Sequence, residues 1–68
     1  MKPVSGSEMC EALERKGWRK VRIRGSHHIY NRAGARRPIP VPVHGSHPLR
    51  KGTQRRIMRQ AGLTDADL

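Results

Sequence analysis

Three prolines at alternate positions, Pro38, Pro40 and Pro42, interleaved with Ile39 and Val41 and followed by Val43, restrict this chain more than any other run in it. A period of two is a β-strand pattern, and it puts Ile39, Val41 and Val43 on one face. Each proline removes a backbone N–H, and at this spacing all three losses fall on the same side of the strand. That side has no hydrogen-bonding neighbour, so the strand belongs at the edge of a sheet. Prolines in that position also oppose edge-to-edge aggregation.

The flanking sequence supplies the rest of the layer. Ser5 and Glu8 form a Ser-x-x-Glu capping box, which predicts a helix from about Ser7 to Lys16. Met9, Ala12 and Leu13 share one face of it with Cys10 beside them, and Gly17 is the stop. From Lys20 to Arg24 apolar and basic residues alternate, predicting a strand with Val21 and Ile23 toward the core and Arg22 and Arg24 on the other face. Gly25-Ser26 makes a turn into a second strand, His27 to Asn31. A loop follows around Ala33-Gly34-Ala35, then the proline strand, then a loop from His44 to Lys51. Thr53 is expected to cap a second helix, Gln54 to Ala61, with Ile57, Met58 and Ala61 inward and Gly62 as its stop.

The order α-β-β-β-α predicts a small α+β fold, a three-stranded antiparallel sheet with two helices on one face and the other face open. A chain of 68 residues is one domain, 1–68, with 1–4 and 64–68 expected to be loosely ordered ends. With no Phe, one Trp and one Tyr the core is thin. Chemistry then belongs on an exposed face, and the partner is large.

Charge narrows the partner. Fifteen Lys and Arg face five acids, a formal net charge of +10. The acids are Glu8, Glu11, Glu14, Asp65 and Asp67, all near the ends, and no carboxylate lies between Arg15 and Thr64. An uninterrupted cationic middle suits a polyanion, because phosphate neutralisation with counterion release gives affinity with little shape matching. A solvated basic surface, or one that meets an acidic protein, is the alternative. A single cysteine makes no internal disulfide and fits a reducing, cytoplasmic setting. No run approaches a membrane span, no segment has a signal-peptide core, and a membrane partner is not expected.

Four histidines concentrate the candidate chemistry: His27 and His28 after the Gly25-Ser26 turn, and His44 and His47 in the loop before the second helix. Successive strand residues point to opposite faces, so one of the first pair looks out over the cationic sheet. An imidazole beside arginines suits acid–base work at an RNA 2′-hydroxyl, with the cations stabilising the attacked phosphate. Read alone, such a pair is more often a packing and hydrogen-bonding pair than a catalytic centre. His44-x-x-His47 with His27 and His28 offers four nitrogens to a metal, but no carboxylate lies nearby to support one, so neither a metal nor another cofactor is expected. Arg22, Arg24, Arg37, Lys51 and Thr53 are the candidate RNA contacts, the last two at a helix N-terminus suited to phosphate. Without aromatic stacking pairs, backbone and shape recognition is expected rather than base reading.

The ordered set Gly17-Trp18, Gly25-Ser26-His27-His28-Ile29-Tyr30, Val41-Pro42-Val43-His44, Lys51-Gly52-Thr53 and Arg59-Gln60-Ala61-Gly62-Leu63 resembles the HicA (YcfA-like) family. The resemblance runs from about Ser5 to Leu63. It implies a double-stranded-RNA-binding-domain-like fold and a toxin that cleaves mRNA without a metal and is neutralised by a HicB-type antitoxin. It also implies that the active histidine follows the Gly-Ser turn. Here that is His27, with His28 as second choice and Gly25 and Ser26 shaping the turn. The competing reading is a non-catalytic RNA-binding module that uses the same face. A DNA-binding module is weaker, since the two separated helices form no helix-turn-helix.

Overall fold

A computed structural model describes residues 1–68. The elements are α1 (Gly6–Arg15), β1 (Arg19–Arg24), β2 (His27–Asn31), β3 (Ile39–Pro42) and α2 (Lys51–Ala61), followed by one 3₁₀ turn at Asp65–Asp67. The strands pair antiparallel in the order β1-β2-β3, so the proline strand is at an edge. The expected α+β architecture is present, with both helices over one sheet face.

The capping box forms as the sequence specifies. Glu8 N–H donates to Ser5 Oγ at 3.1 Å, and Ser5 N–H donates to Glu8 Oε1 at 2.9 Å. Beneath α1 and α2 the core gathers Met9, Leu13, Tyr30, Ile39, Val41 and Ile57, each fully buried, with Trp18 beside them. Tyr30 is tied to α1 as well as packed, because its hydroxyl donates to Glu14 Oε2 at 2.6 Å. Leu63 folds back after Gly62, its N–H donating to the Met58 carbonyl at 2.8 Å.

Two details depart from the sequence reading, and a third adds to it. Val21 and Ile23 do not enter the core; they are 56% and 55% exposed. A bulge between Lys20 and Arg22 leaves Val21 as the unpaired extra residue and breaks the simple alternation. Ile23 keeps the helix-side parity, paired with His28, yet stays more than half exposed on the edge strand. Second, α2 begins at Lys51, so Thr53 lies inside its first turn and caps nothing, and Arg50 occupies the cap without a side-chain bond. Third, Gln54 is a buried residue. Its Oε1 accepts from Val4 N–H at 3.3 Å and its Nε2 donates to the Lys2 carbonyl, pinning the segment before α1 to α2.

Gly6 explains how α1 sits so close to β3. A β-carbon there would run into the Pro42 carbonyl oxygen and reach Pro42 C and Val43 Cα at 3.0 Å. All of these are backbone atoms, which cannot rotate away. Gly6→Ala is therefore expected to destabilise the fold by about 1–3 kcal/mol despite the better helix propensity of alanine. Thermal unfolding checks this; an unchanged midpoint would contradict the close approach.

Burial, reinforced by the hydrogen bond to Glu14, pushes the Tyr30 phenol well above its ordinary value near 10. A folded-state value above the unfolded one gives a contribution that is complete below the unfolded value near 10 and lost as pH rises from there through the higher folded-state value. Tyr30 is the only tyrosine. Tyrosinate absorbance in alkali is expected to appear together with loss of helical signal, and titration of the phenol within the folded state would contradict this.

Candidate nucleic-acid interface

The two-residue connection Gly25-Ser26 has a positive φ only at Gly25, +58°, which is the requirement of a type II′ hairpin turn. It fixes Arg24 directly opposite His27. On the other side of β2, His27 pairs with Pro42, and the Val43 N–H continues the ladder to the Ser26 carbonyl at 2.8 Å. Directly opposed residues share a sheet face, with β-carbons about 5 Å apart. Arg24, His27 and Pro42 therefore form one row across the open face, and Arg22, Ile29 and Pro40 form the next.

The two adjacent histidines separate as the strand period requires. His27 is exposed on the open face. His28 is half-buried on the helix side, between Ile23 and Val41 in register. Ile29, although on the open face, is only 7% exposed and forms an apolar floor between Arg22 and Pro40.

The expected RNA contacts fall in two places. Arg22 and Arg24 flank His27. Thr53 lines a groove with Pro42, His44, His47 and Arg50 at the start of α2, so Pro42 joins that groove to the His27 row. Lys51 is the first residue of α2 and is exposed. Arg37 stands apart, in the loop before β3, beyond the Tyr30–Ile39 pair and thus at the far end of the sheet from His27. There it lines a second cavity with Trp18, Arg32, Arg36, Arg56 and Gln60. Sequence reading did not group these residues, which come from three separate segments with no local signal joining them. The four histidines do not converge: no three His, Cys, Asp or Glu side chains stand at metal-binding spacing.

Electrostatically the molecule is divided. Among the acids, Glu8 caps α1, Glu14 accepts from Tyr30, and Asp67 accepts from the Thr64 N–H at 2.7 Å and meets Lys16 at 3.1 Å. The backbone hydrogen bond from Thr64, with Lys16 second, holds the Asp67 carboxyl below its ordinary range. No arginine forms an ion pair with any carboxylate of the chain. The Cys10 thiol is buried, and burial pushes it up, so it is a packing residue and not a nucleophile. No helix is long and apolar enough to cross a membrane.

Fold and site define a small basic α+β protein whose helices cover one sheet face and leave an exposed histidine among unpaired arginines on the other. A family model described as the HicA toxin of bacterial toxin–antitoxin systems matches residues 6–63. That covers most of the 68 residues, and the chain belongs to the HicA toxin family. It is thus a toxin of a toxin–antitoxin system. A search of curated proteins returns no match.

Proposed function

We propose that this toxin is an endoribonuclease that cleaves mRNA on the open sheet face, with His27 as its acid–base group. The observation that carries the reading is the row Arg24-His27-Pro42: an exposed imidazole directly opposite an arginine, on a face that no helix covers. Arg22 stands in the next row of the same face.

The chemistry follows from what these groups do. His27 takes the proton of an RNA 2′-hydroxyl, and the freed oxygen attacks its own 3′-phosphate. As the O2′–P bond forms, the P–O5′ bond breaks, giving a 2′,3′-cyclic phosphate. The departing 5′ oxygen receives a proton from water or from the imidazolium of His27. Arg22 and Arg24, fixed on the strand, neutralise charge gathering on the phosphoryl oxygens. Lys51, Thr53 and the free N–H groups at the start of α2 hold the adjacent backbone. His28 is the second choice, being half-buried on the helix side between Ile23 and Val41 rather than exposed in the row of Arg24. A HicB-type antitoxin neutralises the toxin by covering His27 and the basic face with an acidic, shape-matched surface. The setting is cytoplasmic, where mRNA and antitoxin meet the toxin.

His27→Ala is expected to lower cleavage of a long mRNA roughly 10²–10⁴-fold in EDTA while leaving RNA affinity within about twofold. Gel analysis of the products with a parallel binding assay checks both. Salt-sensitive binding by both proteins with cleavage by neither would overturn the enzyme reading and leave a binding module. Equal cleavage by both would remove His27 from the reaction.

A further inference from the structure

The cavity at the far end of the sheet has no part in the reaction as described. It is open, about 800 Å³, and contains no acidic residue. Its lining arginines have different duties. Arg32 is engaged, its guanidinium 4.6 Å from the Trp18 ring centroid and donating to the Lys16 carbonyl at 3.2 Å. Arg56 is oriented by Gln60, whose Oε1 accepts from its Nη1 at 3.1 Å. Arg36 and Arg37 have no hydrogen-bond or ion-pair partner within the chain. Trp18, 3% exposed, contributes the only buried side-chain polar atom left without a partner, its indole Nε1. Arg56, held by Gln60, and the two unpartnered arginines thus gather positive charge beside the orphaned Trp18 donor, with nothing in the chain to neutralise it.

Resting on the RNA reading above, we infer that this cavity is a second phosphate subsite, which holds the RNA backbone at a distance from the scissile bond through Arg36, Arg37 and Arg56. Continuity of the surface favours RNA over an acidic protein segment. Pro40 lines the cavity and also sits in the row with Ile29 and Arg22, next to the row of His27. A strand seated at His27 therefore runs across Ile29 and Pro40 into the arginines without leaving the molecule. From Pro42 to Pro38 the path is about 13 Å along β3, so only an RNA several nucleotides long engages both ends.

The test uses His27→Ala protein, which does not consume its substrate, with and without Arg36→Ala and Arg56→Ala, two exposed positions. Binding of a trinucleotide and of a dodecanucleotide is followed by the fluorescence anisotropy of end-labelled RNA. Removing the arginines is expected to weaken dodecanucleotide binding roughly tenfold and to lower its salt slope by about 0.7 per lost phosphate contact, with trinucleotide affinity unchanged. Equal affinities for the longer RNA would overturn the subsite while leaving the His27 face intact. Unchanged RNA binding with lost binding of the antitoxin would assign the cavity to the protein partner and overturn it as well. Failure of the parent protein to bind either RNA would overturn the RNA reading itself.

Discussion

The burial of Tyr30 sets the arrangement of everything else. It lies on the middle strand, fully buried, with α1 above it through the hydroxyl bond to Glu14 and Ile39 opposite it on β3. Because side chains alternate along a strand, fixing Tyr30 inward fixes the parity of all of β2. His28 must then face the helices, and His27 and Ile29 must face away. The turn at Gly25-Ser26 locks the register that carries this parity into β1, and the Pro42 pair carries it into β3. A one-residue slip would exchange the two histidines and put the tyrosine in water, so the core protects the geometry of the face it does not contain.

Charge follows the same division. The carboxylates spend their interactions on architecture: a helix cap, the Tyr30 hydroxyl, and the closing turn with Lys16. The arginines are left without carboxylate partners, and the positions that would be structurally awkward are among the most cationic. Arg50 and Lys51 at the start of α2 oppose the helix dipole. Such an arrangement costs stability unless an anion arrives to offset it. On β1, Arg19, Arg22 and Arg24 guard an edge that has no prolines, while β3 guards its own with Pro40 and Pro42.

Much of this was legible in the residues. The capping box, the glycine stops, the edge position of the proline strand and the opposed directions of His27 and His28 all follow from local rules that tertiary packing did not override. The failures have physical causes. Alternation of Val21 and Ile23 with arginines reads as a half-buried strand, but a bulge costs the sequence no visible signal, and helix coverage of an edge strand is a property of the whole layer. The start of α2 was hidden because Arg50, Lys51 and Gly52 are poor helix openers, and Thr53 offered a better cap that goes unused. No local pattern marks Gln54 for burial; its amide bonds to Val4, fifty residues away in sequence. The arginine cavity is assembled from the β2–β3 loop, α2 and the residue before β1, and no local pattern encodes such a meeting.

In the proposed function, RNA lies on the open sheet face, across the rows of His27 and Ile29. Chemical-shift mapping of isotopically labelled His27→Ala protein with a non-cleaved RNA tests it most directly. Perturbations are expected at Arg22, Arg24, Ile29 and the Gly25-Ser26 turn, continuing past Pro40 toward Arg36 and Arg37. Perturbations confined to Arg55 and Arg59 on the outer face of α2, with the sheet unmoved, would contradict it.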